Sequence, residues 1–340
     1  MPKVSVVMAV HDGGTYLGQA IESILEQSFT DFEFVIIDDA STDGSSRTLS
    51  GLSDERIRVM GNSKQLGLSR SLNKGIAAAK GEYIARMDHD DISLTERLRR
   101  QVGFLDAHPE VDVLGTWART LGLGREQTWR YPTPDEDIRS EFIFNSSLVH
   151  SSVVLRKATL ERLNLYYDES VERAQDYELW TRAAPQIQFA NLGSILLHYR
   201  VHPDQVGNQH GVQQRAAADK VRLRELDRLG VKPSEDELTL HNRISRWEPV
   251  MGSAELQALR EWFLKLRATN EDTEPFSAEA FDRALERRWW TACKANVGLG
   301  LKAWRTYANA PFNKTASRGI LTKAQFWVKS ALREIGWRRR

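Results

Sequence analysis

The segment Arg86-Met87-Asp88-His89-Asp90-Asp91 puts three carboxylates into four positions, directly after the apolar run Tyr83-Ile84-Ala85. Such a cluster at the mouth of a buried strand repels itself, and the ordinary relief is a divalent cation with oxygen ligands. The chemistry to expect is a cation bridging to a diphosphate. Taken alone, the same acids read first as a solvated turn capping a helix that starts near Ser93, and it is their position after a buried strand that favours the cation. A calcium-binding helix-loop-helix is excluded, because Ile92 and Ser93 stand where that loop needs an oxygen ligand and a glycine. Asp39 to Gly44 fails the same test, with Ser50 in place of the bidentate Glu.

The elements that must hold these acids can be read outward from them. Val4-Ser5-Val6-Val7-Met8-Ala9-Val10 is a nearly continuous β-branched run, as a strand buried on both faces requires. Leu17, Ala20, Ile21, Ile24 and Leu25 then form a helical stripe. Phe34 to Ile37 predicts a second strand that ends in the turn-forming Asp38-Asp39-Ala40-Ser41-Thr42-Asp43-Gly44. Ile57 to Met60 predicts a third strand, Leu68, Leu72, Ile76 and Ala79 a helix stopped by Gly81, and Tyr83 to Met87 a fourth strand. Alternation of this kind gives a parallel, doubly wound sheet, whose ligands bind beyond the carboxyl ends of the strands. His11-Asp12-Gly13-Gly14, Asp38-Asp39 and Asp88 to Asp91 all fall at such ends and should converge. A dinucleotide-binding dehydrogenase is disfavoured, since His11-Asp12-Gly13-Gly14-Thr15 lacks the glycine spacing that fold needs at its first turn.

Composition narrows the classes further. With 340 residues, 41% apolar and 27% charged, the chain can bury a real core across roughly two domains. A single cysteine, Cys293, rules out an internal disulfide or a Cys-based zinc site and fits a reducing, cytoplasmic setting. Met1-Pro2-Lys3 runs straight into a strand, so no leader is expected. No uncharged stretch is long enough to span a bilayer; the run from Ile187 to Arg200 is short and broken by Gln188, Asn191 and His198. Residues 301–340 carry ten basic groups against one acid, Glu334, a balance of +9; the whole chain is +1, which leaves −8 for residues 1–300.

Taken in order, these motifs resemble the family 2 glycosyltransferases: Val4 to Val7 with His11-Asp12 and Tyr16-Leu17, Ile37 to Asp43, Gly67-Leu68 with Arg70 and Asn73, Gly81 to Ile84, and Asp88 to Asp91. The resemblance continues through His150 to Val154, Tyr167-Asp168-Glu169, Gln175 to Trp180 and Tyr199 to His202, covering residues 3 to about 205. It implies an α/β fold of the glycosyltransferase A type, a Rossmann-like, mostly parallel doubly wound sheet, here with a C-terminal all-helical appendage. It also implies a nucleotide-sugar donor, UDP-sugar favoured, a divalent cation (Mn²⁺ or Mg²⁺) and an inverting single displacement.

The family pattern assigns roles residue by residue. Asp88 meets the donor ribose, Asp90 the metal, and Asp91 steadies the loop, with His89 a loop spacer beside the donor. Asp39 accepts a hydrogen bond from the uracil imide, although Asp38-Asp39 could also serve as turn formers and helix caps. Asp12 and the backbone of Ala9, Val10 and His11 lie along the same base; His11 departs from the family's commoner residue there. Arg70 suits a diphosphate contact, or a plain exposed helix position. Asp176 is the base that takes the acceptor hydroxyl's proton, and as the acid opening the pattern Leu179, Trp180, Ala183 it is also placed to favour a helix N-terminus. The family's usual Glu-Asp is Gln175-Asp176 here, so the base is kept and its acidic neighbour lost. His202 is a third metal ligand or diphosphate contact, or a structural imidazole. A retaining hydrolase would need a second flanking carboxylate, and none is well placed.

The expected organisation is a catalytic domain over 1–205, a helical appendage over 206–300 and a basic amphipathic tail over 301–340. Helical spacing marks 209–230, 235–247, 254–267 and 277–296, and Trp289-Trp290 reads as core. In the tail, Ile320, Ala324, Val328, Ala331, Leu332 and Ile335 recur at helical spacing, with Trp327, Trp337 and basic residues around them. That pattern fits either an anionic membrane surface, with a peripheral location, or packing on the acidic body. The activity expected is transfer of a sugar to a hydroxyl of a glycan or lipid-linked acceptor in surface polysaccharide synthesis, with no nucleic-acid partner. A nucleotidyltransferase, or a nucleotide-sugar-binding protein without transfer activity, stays open as the alternative.

Overall fold

The computed structural model describes residues 1–203, 211–313 and 319–334. The tail residues Lys314, Arg318, Ile335, Trp337, Arg338, Arg339 and Arg340 lie outside the described residues. The chain divides into two compact units, one of residues 1–138 with 146–218, the other of 139–145 with 219–340.

The first unit is built on a nine-stranded sheet. Strands β1 (Val4–Val10), β2 (Phe32–Asp38), β3 (Ile57–Gly61) and β4 (Tyr83–Met87) are parallel and stand in the order β3-β2-β1-β4. Every residue of β1 is buried, which is what a strand covered on both faces demands of its sequence. Register fixes the geometry of the edge: Val10 lies beside Asp38, and Met8 beside Met87. The segments leaving β1, β2 and β4 therefore emerge together.

Helices α1 (Leu17–Leu25), α2 (Ser45–Ser50), α3 (Leu68–Ala78) and α4 (Arg97–Ala107) link the first strands. Gly81 does not cap α3: that helix ends at Ala78, with Ala79 already extended. Its need is steric. A Cβ on Gly81 would fall 2.5 Å from the Ser5 backbone nitrogen and 2.7 Å from the Val4 carbonyl carbon. Because β1 cannot move without breaking two ladders, Gly81→Ala is expected to cost about 3 kcal/mol. A urea denaturation midpoint equal to wild type would refute this.

Beyond β4 the sheet changes direction. The remaining strands are β5 (Ile92–Ser93), β6 (Val113–Gly122), β7 (Thr128–Trp129), β8 (Val154–Arg156) and β9 (Phe189–Val201). β8 is antiparallel to both β4 and β6, and β9 runs parallel to β6 with register shifts around Trp117. Two-residue β5 pairs with β9, setting Ile92 against His198. This small ladder, far from local in sequence, carries the Asp88–Asp91 loop to the end of β9. Helices α5 (Asp135–Glu141), α6 (Lys157–Leu163) and α7 (Gln175–Ala183) fill the connections.

The second unit is helical. Its elements include α8 (Gly211–Leu229), which begins in the first unit, α9 (Glu235–Ser245), α10 (Gly252–Thr273), α11 (Ala278–Ala295), α12 (Leu301–Ala308) and α13 (Ile320–Glu334). Ser234 and Glu237 start α9 with a capping box, each side chain bonding the other's backbone N–H. Leu259, Trp262, Phe263, Leu266, Phe281, Leu285 and Trp289 make the core, and Phe144 joins it from the short returning segment. Trp289 and Trp290 are both buried. Among the described residues, no helix is long and apolar enough to cross a membrane.

Candidate functional site

The site begins with a charge that ought not to be buried. Arg86 is the fourth residue of β4, and its guanidinium is inside the protein. An isolated charge there would be prohibitive, so the strand must deliver an anion to it. Asp88, two residues on and on the same side of the chain, pairs with Arg86. Burial alone would raise the Asp88 carboxyl, but the adjoining guanidinium outweighs it and holds the group below its ordinary value.

Asp88, Asp90 and Asp91 bring carboxylate oxygens within 4.8 Å of one another. Asp91 is fully buried, accepts a hydrogen bond from Ser151 Oγ, and accepts another from the Arg200 backbone N–H at 2.8 Å. Burial pushes its carboxyl well up, and the charges of Asp88 and Asp90 push the same way. His202 Nε2 stands 3.0 Å from Asp90 Oδ2. That approach follows from the β5–β9 pairing, which brings the end of β9 alongside the acidic loop. Arg200 reinforces it, donating from Nε to the Asp90 carbonyl at 2.7 Å and from Nη2 to Gln19 at 2.7 Å. The Tyr16 ring lies beneath both, 4.4 Å from the Arg200 guanidinium and 4.8 Å from the His202 ring.

Asp176 sits in the first turn of α7, after Ala174 in the left-handed region at φ +56°. It is half-buried and feels the charges of both Arg86 and Asp88, so α7 presents it to the same cluster. Burial raises its carboxyl pKa, and this exceeds the opposing pull of the Tyr177 N–H and Arg86. Tyr167 feels the Asp176 charge, and its hydroxyl stands 2.7 Å from His150 Nε2. Burial, with Arg86 nearby, pushes His150 well below its usual range and keeps it neutral. The segment leading to α7 is tied down by Asn73, whose side chain donates to the Tyr167 carbonyl at 2.9 Å and accepts from its N–H at 3.0 Å.

A second group of the expected residues gathers at the ends of β1 and β2. His11 Nδ1 contacts the Asp39 carbonyl at 2.9 Å, and the Val10 carbonyl accepts from Asp39 N–H at 2.7 Å. Ala9 and Val10 are buried in β1, leaving their backbone as what they can offer a ligand. Asp12, at φ +49°, accepts from the Thr42 N–H at 2.6 Å and so ties the two loops together. Asp39 accepts from the Leu66 and Gly67 N–H groups, both at 2.8 Å, and from Asn62 Nδ2 at 2.7 Å. Three donors leave room for one more on a carboxylate with about four lone-pair sites. His89 bridges the two groups, its ring reaching to 3.4 Å from where a Cβ on Gly13 would stand. Arg70, exposed on α3, pairs with Glu169 at 2.9 Å.

Arg86, Ser151, Arg200 and Tyr16 escaped assignment from sequence. Arg86 carried a signal of its own, a lone charge inside an otherwise apolar strand, whereas Tyr16, Ser151 and Arg200 stood in the family-like motifs without an assigned role. The other three depend on contacts across more than fifty residues.

Residues 5–163 match the family described as Glycosyl transferase family 2. An uncharacterized glycosyltransferase of Methanocaldococcus jannaschii is 32% identical over 212 residues, which span 59% of this chain and 71% of that one. The O-antigen biosynthesis glycosyltransferase WbnJ of Escherichia coli is 31% identical over 206 residues, 58% of this chain and 80% of that one. Among solved structures, residues 1–349 of S. aureus TarS in complex with UDP-GlcNAc share the fold with a TM-score of 0.56 at 16% identity, covering 99% of this chain and 93% of that one. The chain spans about half, 52%, of the longer TarS structure.

Proposed function

The chain belongs to glycosyltransferase family 2, and on that footing we propose that it moves a sugar from a nucleotide-diphosphate donor, UDP-sugar favoured, to a hydroxyl of a glycan or lipid-linked acceptor with inversion. The observation that carries the reading is the meeting of Asp88, Asp90, Asp91 and His202 at one strand end, with Asp176 on α7 near enough to feel the charges of Arg86 and Asp88. The naming of WbnJ for O-antigen biosynthesis supports a setting in surface polysaccharide assembly.

In this reading the nucleobase lies along Ala9 to Asp12 and takes the remaining acceptor position of Asp39, while Asp88 meets the ribose. Arg86 fixes the Asp88 carboxylate, and Arg200 fixes the loop at Asp90. The donor set, hard carboxylate oxygens with one imidazole, fits Mn²⁺ or Mg²⁺ held by Asp90 and His202. When bound, such a cation offsets the charge that builds on a departing diphosphate. Asp176 takes the acceptor proton, and its raised pKa makes it a better base than an ordinary aspartate. Arg70 contributes to the diphosphate when it leaves Glu169.

The test is release of nucleoside diphosphate from a panel of UDP-, GDP- and dTDP-sugars with Mn²⁺. A UDP-sugar is expected to turn over, with a loss of roughly a hundredfold or more in EDTA that Mn²⁺ restores. Pyrophosphate release from a nucleoside triphosphate and sugar phosphate would instead indicate nucleotidyl transfer. Binding without turnover would leave only a nucleotide-sugar-binding protein.

A further inference from the structure

The last described helix is turned the unusual way for a surface element. On α13, Phe326 and Ser330 are the buried residues, one turn apart. Phe326 packs against Trp290, Trp304 and Tyr307 at ring separations of 5.2 to 6.0 Å. The opposite side should then be polar. It is not: Ile320, Leu321, Trp327 and Val328 are 86, 79, 48 and 45% exposed, and Ala324 is exposed among them. At 100° per residue these five form one stripe facing away from Phe326. On the same projection Lys323 lies beyond the Trp327 margin of the stripe and exposed Lys329 beyond the Leu321 margin, while Arg333 falls on the Phe326 side.

The charge carried by this part of the sequence is almost all of one sign. Residues 301–340 hold ten basic groups and one acid. That acid, Glu334, is occupied, accepting from the Leu301 N–H at 2.9 Å at the start of α12. A protein surface that covered an apolar stripe would need a matching acidic rim, whereas a bilayer of anionic lipids supplies both an apolar interior and a negative surface. Tryptophan at the edge of such a stripe suits the headgroup boundary.

We propose that α13 docks this unit on anionic lipid membranes, with Ile320, Leu321, Ala324, Trp327 and Val328 entering the headgroup boundary and Lys323 and Lys329, on either side of them, meeting lipid phosphates. The helix lies in the interface plane and does not cross it. This inference is independent of the transfer reaction, since a protein with no activity would still bind.

Flotation of the full chain with phosphatidylcholine vesicles containing about a third phosphatidylglycerol tests it. Wild type is expected to float with these vesicles, and less so with phosphatidylcholine alone or at high salt. Leu321→Gln with Val328→Gln should lose at least about tenfold in vesicle affinity. Lys323→Glu with Lys329→Glu, neither of them buried, should remove the preference for anionic lipid, and it keeps the test alive if the Gln pair does not fold. The proposal is overturned by absence of flotation, by equal flotation on both vesicle types, or by flotation that neither variant changes. It is also overturned if light scattering shows a dimer that either pair of substitutions makes monomeric, since a second copy would then be what covers the stripe.

Discussion

Asp176→Asn is expected to lower the transfer rate by roughly 10²- to 10⁴-fold, the range that a positioned general base supplies. Donor binding should be unchanged, because the nucleotide is assigned to the ends of β1, β2 and β4 and Asp176 stands on α7. Asn keeps the shape and can still receive the acceptor hydroxyl, but it cannot take its proton. The pH dependence follows in sign. The basic form is the active one, and burial raises the Asp176 pKa, so kcat/KM should fall on acidification at a pH above the ordinary carboxylate range. In the Asn variant that acid limb should vanish along with most of the rate. Turnover at the wild-type level in Asp176→Asn would remove this residue from the chemistry, whatever its position.

Much of this arrangement was legible because the first four strands are coded locally. A run such as Val4 to Val10 has few alternatives to a strand covered on both faces, and parallel order then sends three acidic loops to one edge. The helical unit was legible for a similar reason, with Leu256, Leu259, Trp262, Phe263 and Leu266 at helical spacing and all buried in α10. Pairing between distant segments was not. Nothing local announces that Ile92-Ser93 joins β9, yet that ladder is what sets His202 against Asp90. Likewise, residues 139–145 give no sign that they join the helical unit, where Phe144 packs on Phe263 and the Ile143 carbonyl contacts His241 at 2.9 Å. Asp39 shows the same limit at a single residue. Its place after β2 can be read from the sequence, but its three bonds to Asn62, Leu66 and Gly67 cannot, because they depend on how the chain returns after β3.

Asp88→Asn is expected to destabilise the fold by about 3–5 kcal/mol, because it leaves the Arg86 guanidinium buried without its carboxylate. The side chains of the pair are 4% and 26% exposed, Arg86 being much the deeper, so the two single changes should differ. Arg86→Met removes the deep charge and fills much of its volume. It leaves Asp88 near water, where protonation or solvation can relieve the repulsion of Asp90 and Asp91. Arg86→Met should therefore cost less than Asp88→Asn. The double variant should be more stable than Asp88→Asn alone, since the buried charge has gone with its partner. Urea denaturation in EDTA isolates this effect from any cation held by the neighbouring acids. Additive costs in the double variant would mean that Arg86 and Asp88 do not depend on each other. The charge that sets the acidic loop at the end of β4 would then have to come from elsewhere.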